Sequence, residues 1–203
     1  MGRLRGWNRT LCLVGLLCLV GVVASAGPAS GWSSPIAYTT NTWSNDVSVI
    51  DTGTNTVIAT VPVGVSPFGA EATPDGSRVY VANFGDNTVS VIDTATETVV
   101  ATVPVGTGPI GVAVSPDESS VYVTNNGDGT VSIIDTVTNT VTMTVPAGAA
   151  PVGVAVTPDG SRVYVANEGA GTVSSIDAAA TTTVAVGSAP SVWRCRRTDR
   201  TCL

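Results

Sequence analysis

The side chains that could carry out chemistry in this chain are mostly carboxylates and amides that recur at one fixed spacing. Four aspartates lie 42 residues apart, and four asparagines follow the same interval. They are Asp51, Asp93, Asp135 and Asp177, with Asn41, Asn83, Asn125 and Asn167. A ring of carboxylates could bind a cation or a polar ligand, but each of these residues ends a strand-like run. Because such side chains bond to nearby backbone and tolerate turn conformations, we predict that they stabilise turns.

The residues that the chain lacks exclude several classes of catalysis. None of the 203 residues is His or Lys. Without His there is no Ser-His-Asp triad, no imidazole base and no usual zinc site. Without Lys there is no Schiff base and no P-loop. We therefore assign no catalytic, cofactor-binding or metal-binding residue, and we expect a protein that is not an enzyme and needs no cofactor. No ligand-binding residue follows from the sequence.

The charge of the chain restricts its partners. Residues 27–190 contain 14 acidic and two basic side chains, the latter being Arg78 and Arg162, which gives a net charge of −12. A surface of this kind repels phosphate backbones, so we do not expect nucleic-acid binding. The expected partners are a protein or a cell-surface polymer.

The first 26 residues have the pattern of a secretory signal peptide. Arg3, Arg5 and Arg9 precede an apolar run from Leu11 to Ala24, and residues 24–26 are small, as a cleavage site requires. The apolar run has 14 residues, fewer than the roughly 20 that span a bilayer as a helix. We therefore predict a secreted or cell-surface protein that does not span the membrane after cleavage, with an uncleaved membrane anchor as the alternative.

The second copy of the repeat shows the expected secondary structure. Four short runs, at 79–82, 88–92, 98–103 and 109–114, are rich in β-branched residues and are separated by Gly, Pro, Asn and Asp. This pattern predicts four antiparallel strands per repeat and no helix. One such blade cannot bury both of its faces, so neighbouring blades must stack against it. We predict an all-β propeller of about four 42-residue repeats, with a β-helix as the alternative.

Several of these segments resemble a known family. Residues 121–125 read Val-Tyr-Val-Thr-Asn, the motif that names the YVTN family of β-propeller repeats, and residues 79–83 and 163–167 are close variants. The resemblance covers roughly residues 37 to 190. It implies a secreted or surface-exposed seven-bladed propeller, of the kind found in surface-layer and periplasmic proteins. Related propellers include lactonases and haem- or quinone-dependent enzymes, but their active-site His and metal ligands have no counterpart here.

Two side chains depart from the repeat. Glu71 stands where the other copies have Ala, in the strand that a propeller places nearest its central channel, so it could bind a cation or a polar ligand. Trp43 replaces a turn glycine; an exposed Trp could stack on a sugar, but packing near Trp32 is the preferred interpretation. The segments 85–87 and 126–129 resemble fragments of calcium loops, yet they lack the bidentate Glu of an EF-hand, so we interpret them as turns.

The predicted organisation has four parts. They are a signal peptide (1–26), a lead-in (27–36), the propeller repeats (37–78, 79–120, 121–162 and a partial copy, 163–190) and a basic tail (191–203). The first copy has no inner strand of the Pro-x-Gly type before it, and the fourth copy is shortened, so we expect an incomplete ring whose open edges could self-associate. We interpret the tail as out of frame. The alternative is a genuine tail with a Cys195–Cys202 disulfide.

The sequence therefore favours a secreted or cell-surface propeller with a binding or scaffolding role and no catalysis. One alternative is a lactonase-like or quinoprotein-like enzyme, in which Glu71 would be the residue to test. Others are a purely structural surface-layer component and a truncated fragment of a longer propeller without a function of its own.

Overall fold

The computed structural model of this chain describes residues 11–13, 20–25, 35–177, 181–188 and 190. These residues form strands and turns and contain no helix. It follows that no helix in the described part of the chain is long and apolar enough to cross a membrane.

The described residues form seventeen short strands. In chain order they are β1 (Leu11–Leu13), β2 (Val20–Ser25), β3 (Ile36–Asn41), β4 (Asp46–Asp51), β5 (Thr56–Pro62), β6 (Pro67–Ala72), β7 (Arg78–Asn83), β8 (Thr88–Asp93), β9 (Thr98–Pro104), β10 (Pro109–Val114), β11 (Ser120–Asn125), β12 (Thr130–Asp135), β13 (Thr140–Pro146), β14 (Pro151–Val156), β15 (Val163–Asn167), β16 (Thr172–Ile176) and β17 (Thr181–Ala185).

The strands build four antiparallel sheets, which we call blades 1 to 4. Blade 1 contains β2 to β5, with β1 added beside β2, and blades 2, 3 and 4 contain β6 to β9, β10 to β13 and β14 to β17. The first strands of neighbouring blades lie against one another, since β6 contacts β2 and β10, and β10 contacts β14. The sheets are not closed into a ring. The predicted all-β propeller of four-stranded blades, with an incomplete ring, is confirmed.

Alternation along the strands gives each blade two apolar faces. In blade 2 the face toward blade 3, which we call the following face, consists of Tyr80, Val89, Val91 and Val103. The face toward blade 1, the preceding face, consists of Ala70, Ala72, Val79, Val81 and Ile92. All of these side chains are buried. Removal of this apolar area from water, at about 25 cal/mol per Å², is what holds one blade against the next.

Left-handed backbone conformations recur at the same turns of successive copies. The hairpin between the third and fourth strands of blades 1, 2 and 3 has its left-handed residue at Asn55, Glu97 and Asn139, with φ of 55°, 52° and 53°. Asn tolerates this conformation better than most residues, whereas Glu does not share that preference. Glu97 therefore stands out as a residue that the turn alone does not favour.

Two glycines allow the inner strands to approach closely. A Cβ at Gly69 would lie 2.2 Å from the carbonyl oxygen of Ile110, and a Cβ at Gly111 would lie 2.3 Å from that of Val152. Real Cβ atoms do not come this close to backbone, so only glycine fits at either position. The Pro-x-Gly element of the repeat therefore sets the spacing of β6, β10 and β14.

The sequence repeat and the structural blade are offset by one strand. Strand β10 pairs with β11, in the next copy of the repeat, and not with β9. The first copy has no Pro-x-Gly strand before it, and β2 takes the inner position of blade 1 instead, where Ser25 pairs with Ile36 and Val23 pairs with Tyr38. Strand β2 lies within the predicted signal peptide. Its many valines favour the extended conformation, and its backbone pairs with the edge of β3 that would otherwise be left without a partner strand.

Candidate functional site

A cleft of about 400 Å³ lies between the inner hairpins of blades 3 and 4. The hairpin that joins β10 to β11 forms one wall, and the hairpin that joins β14 to β15 forms the other. The lining residues are Ser115, Pro116, Asp117, Ser119, Tyr122, Pro158, Asp159 and Gly160. Its volume is within the range of small-ligand pockets, and its lining combines carboxylates, hydroxyls and an aromatic ring.

The cleft is open because Gly160, like Gly76 in blade 2, keeps the glycine of the repeat, whereas Glu118 of blade 3 departs from it. Between blades 2 and 3, the Oε1 atom of Glu118 accepts a hydrogen bond of 2.6 Å from the backbone amide of Asp75. The residue equivalent to Glu118 in blade 4 is Gly160. A Cβ at Gly160 would meet nothing closer than Pro116, at 3.8 Å. The space that a side chain fills between blades 2 and 3 therefore stays open between blades 3 and 4.

The two carboxylates of the cleft are held by their own turns. The Oδ1 atom of Asp159 accepts hydrogen bonds from the hydroxyl of Thr157 (2.6 Å) and from the amide (3.1 Å) and hydroxyl (2.8 Å) of Ser161. These bonds favour the charged form and lower the pKa of Asp159 to about 2. The same arrangement around Asp117 lowers its pKa, with the hydroxyl of Ser115 as the largest cause.

Tyr122 forms the aromatic part of the lining. It is half-buried, whereas Tyr38 and Tyr80 at the equivalent positions are almost fully buried. Burial raises the pKa of Tyr122, and the charge of Asp117 raises it further. Its hydroxyl is therefore neutral at physiological pH and able to donate a hydrogen bond.

This arrangement is suited to binding neutral ligands that are rich in hydroxyl groups. Both carboxylates are ionised at neutral pH, and the Oδ1 atom of each is engaged by its turn, which leaves the Oδ2 atom to accept from a ligand. A glycosidase pair needs one carboxyl whose pKa is raised, so that it can donate a proton. Neither Asp117 nor Asp159 meets that requirement. Within the residues that the structure describes, no group of three His, Cys, Asp or Glu side chains could hold a metal ion.

The two off-pattern residues lie away from this cleft. Glu71 is in β6, the innermost strand of blade 2, where it pairs with Tyr80. Trp43 is 85 % exposed, so the preferred interpretation that it is packed is wrong. In later blades the preceding loop covers the equivalent glycine; a Cβ at Gly85, for example, would lie 2.7 Å from Val65. The other residue of the proposed packing, Trp32, lies outside the described residues.

The segments that resemble calcium loops connect neighbouring blades. The Oδ2 atom of Asp86 accepts a hydrogen bond of 2.6 Å from the amide of Val65, and Asp128 does the same with Thr107. The Oδ1 atom of Asn87 accepts from the amide of Gly108 at 2.8 Å. The two aspartates thus hold the loop that leads into their own blade. Asn87 holds the loop that leads into the next blade.

The recurring Asp and Asn side chains have the structural role that the sequence predicts. Asp93 accepts hydrogen bonds from the amides of Ala95 (3.0 Å) and Thr96 (2.9 Å) and so closes its hairpin. The amide nitrogen of Asn125 donates to the hydroxyls of Thr130 and Ser132, each at 2.9 Å. Equivalent bonds occur at Asp135, Asn83 and Asn167.

A Tyr–Glu pair between blades 1 and 2 was not found from the sequence. The hydroxyl of Tyr38 donates a hydrogen bond of 3.0 Å to the Oε1 atom of Glu97, whose Oε2 atom is buried without a partner among the described residues. Burial raises the pKa of both groups. The signal was available, because Glu97 stands where two other copies have Asn. The same comparison, between Glu118 and Gly160, would have located the cleft.

Comparison with known proteins places this chain in a family. The model of the choice-of-anchor I domain matches residues 98–199, half of the chain. The chain belongs to the choice-of-anchor I domain family. The matched range includes the whole cleft, from Ser115 to Gly160. No curated protein matches this chain.

Solved structures share its propeller fold. The hydrazine synthase of Kuenenia stuttgartiensis is 26 % identical, with a TM-score of 0.68 over 74 % of this chain and 46 % of that one. The dihydro-heme d1 dehydrogenase NirN is 23 % identical, with a TM-score of 0.65 over 79 % and 38 %. A functionally unknown protein from Desulfotomaculum acetoxidans DSM 771 is 20 % identical, with a TM-score of 0.64 over 86 % and 64 %. The choice-of-anchor I chain thus spans less than two thirds of each of these chains.

Proposed function

We propose that this choice-of-anchor I protein is an exported, cell-surface propeller that binds a neutral, hydroxyl-rich polymer without catalysing a reaction. The anchor in the family's description and the export signal support the location. The propeller repeats are of the YVTN type, on the motif at residues 121–125. The observation that carries the binding role is the cleft beside Gly160, with its two ionised carboxylates and neutral Tyr122.

The chemistry of the cleft selects the class of ligand. Carboxylate oxygens accept hydrogen bonds from hydroxyl groups, and the ring of Tyr122 offers an apolar surface to the face of a sugar. The charges of Asp117 and Asp159 repel phosphate and other anions. A neutral saccharide of the cell envelope meets both conditions.

A single substitution should close the cleft. In Gly160→Glu, the new side chain would occupy the cleft between blades 3 and 4, as Glu118 occupies the equivalent space between blades 2 and 3. We expect at least a tenfold or so loss of affinity for neutral oligosaccharides immobilised on an array, since the ligand would have to displace it. Asp159→Asn, which removes a charge but keeps an acceptor, should weaken binding less.

The matched control is Gly76→Glu. Gly76 and Gly160 have left-handed φ of 73° and 72°, so both variants carry the same backbone strain of about 1–2 kcal/mol, but Gly76 does not line the cleft. Failure of the wild-type protein to bind any neutral oligosaccharide would contradict the proposal. So would equal loss of binding in both variants, because that result would trace the effect to folding.

A further inference from the structure

The following face of blade 4 exposes apolar side chains that are buried at the equivalent positions of other blades. Val184 pairs with Val173 as Val103 pairs with Val89. Val103 is 2 % exposed and Val184 is 62 % exposed. Tyr164 is half-buried, whereas Tyr80 is fully buried. The end of the arc at blade 4 thus has an apolar face with nothing against it among the described residues.

The preceding face of blade 1 is open in the same way. Ile50 is half-buried, although Ile92 and Ile134 are fully buried at the equivalent positions. Val57 is 57 % exposed, whereas its equivalent in blade 2, Val99, packs into the core between blades 1 and 2. Among the described residues, the two ends of the arc therefore expose the two halves of the interface that stacks one blade on another.

The two residues of a polar contact that is specific to one type of interface are also present at the two ends, although Arg162 here forms a hydrogen bond with Tyr164 of its own blade. Between blades 2 and 3, the Nη1 atom of Arg78 donates a hydrogen bond of 2.5 Å to the carbonyl oxygen of Thr136. Arg162 is the equivalent of Arg78 in blade 4, and Thr52 is the equivalent of Thr136 in blade 1. Both Arg162 and Thr52 are exposed, whereas Thr136 is buried.

The blade interfaces alternate between two types, and this alternation predicts which type the open ends would form. The first and third interfaces have a Thr that donates to the next inner strand, from Thr40 to Phe68 (2.6 Å) and from Thr124 to Val152 (3.0 Å). Blades 2 and 4 have Ala at this position and Arg at the start of the same segment, which blades 1 and 3 lack. The next interface after blade 4 should therefore be of the same type as that between blades 2 and 3.

Two polar replacements distinguish the end faces from the interior ones, and they fit each other. Ser175 stands where blade 2 has Val91, and Thr39 stands where blade 3 has Val123. Val91 and Val123 belong to the same core cluster between blades 2 and 3. Both replacements are half-buried. Hydroxyl groups on both sides of one contact can bond to each other, whereas a single one opposite a Val would be left unsatisfied.

We propose that the following face of blade 4 docks on the preceding face of blade 1 of a second copy of this chain, with Arg162 donating to the carbonyl of Thr52 of that copy. Two such contacts, one in each direction, join two four-bladed arcs into one eight-bladed ring. A head-to-tail contact of this kind gives a closed assembly when the rotation per blade permits closure. The contact continues the packing between blades 2 and 3.

Light scattering after size-exclusion chromatography tests this proposal on the processed chain at several concentrations. We expect a dimer. Arg162→Glu should raise its dissociation constant by at least about tenfold, since a charge-assisted hydrogen bond is lost in each of the two contacts. Ile50→Arg should have a similar effect from the other face. Met143→Gln, an exposed change on the outer strand of blade 3, should have no effect. The proposal would be overturned if the protein stayed monomeric, or if neither face variant changed the dissociation constant of the dimer.

Mixing the two face variants separates the docking contact from simple misfolding. Arg162→Glu damages the following face alone, and Ile50→Arg damages the preceding face alone. An equimolar mixture keeps one intact pair of faces, so we expect a heterodimer at concentrations where each variant alone is monomeric. Absence of that heterodimer would exclude head-to-tail docking. Its presence would exclude a contact between like faces and a folding defect, because neither can be complemented in this way.

Discussion

Glu97 has a backbone conformation and a partly buried carboxyl group that are both unfavourable for a glutamate. Its left-handed φ of 52° suits the Asn of the neighbouring copies, and its carboxyl is partly buried against Tyr38. Burial raises the pKa of Glu97 above its ordinary value of 4.5, and the charge of Asp93 acts in the same direction, although the hydrogen bond from Tyr38 opposes both. The folded protein therefore holds the proton on this carboxyl more tightly than the unfolded chain does.

Glu97→Gln should stabilise the protein at neutral pH. The amide oxygen of Gln keeps an acceptor for the hydroxyl of Tyr38 and removes the partly buried charge. A group with a raised folded-state pKa contributes stability that is fully present below 4.5 and is lost as the pH rises through the raised value. Melting curves from pH 4 to 8 should show this loss in the wild-type protein and a smaller one in the variant. A lower melting temperature for Glu97→Gln at pH 7 would contradict this explanation.

At the level of the strands and turns, the sequence predicted where the strands lie better than it predicted which strands pair. The β-branched runs and the turn residues predicted the strands of residues 36–176 because local conformation decides them. Pairing is decided by contacts between segments, and for that reason the assignment of β10 to the blade of β11 required the structure. The pairing of β2 was also missed, since the apolar run that contains it has the composition of a signal peptide.

The candidate site shows the same division. The sequence contains the difference between Glu118 and Gly160, but nothing in it says that these turns of neighbouring blades face each other across an interface. The prediction for Trp43 failed for a related reason, because its exposure depends on the loop that precedes the blade. The strands and turns that recur in every copy were predictable, whereas the contacts between neighbouring blades were not.

The approach of the inner strands is open to a direct test with two glycines. Gly111→Ala would place a Cβ 2.3 Å from the carbonyl oxygen of Val152, whereas a Cβ at Gly187 would meet nothing within 4 Å. We expect Gly111→Ala to lower the free energy of unfolding by about 3 kcal/mol, as severe overpacking does. Gly187→Ala should be neutral or slightly stabilising, because it restricts the unfolded chain. Equal effects in urea unfolding would show that the inner strands do not approach so closely.

The Asp turns should make an acid-sensitive contribution to stability. Hydrogen bonds from the amides of Thr96 and Ala95 lower the pKa of Asp93, so its contribution is present above the ordinary value of 3.8 and is lost as the pH falls through the lowered one. Asp93→Ala should cost about 1 kcal/mol at pH 7, since the turn is solvent-exposed, and should cost much less near pH 2. A cost that does not change with pH would mean that the carboxylate is not what closes the hairpin.

On the largest scale, the described residues form four blades in an arc whose two ends have no neighbouring blade among these residues, and blade 1 takes its inner strand from the predicted signal peptide. Cleavage after Ala26 would remove β2 (Val20–Ser25) and leave β3 with an open inner edge. After that cleavage, blade 1 would consist of β3, β4 and β5. The acidic surface and the cleft belong to the part of the chain that remains.

The most direct test of an exported, surface-exposed propeller uses the absence of Lys from the chain. A membrane-impermeant, amine-reactive label applied to intact cells can react only with the N-terminal amine of this protein. The measurement is the mass spectrum of the labelled chain. We expect a single label, on Gly27, in intact cells. A chain that is labelled only after lysis, with its N-terminus before residue 20, would contradict it.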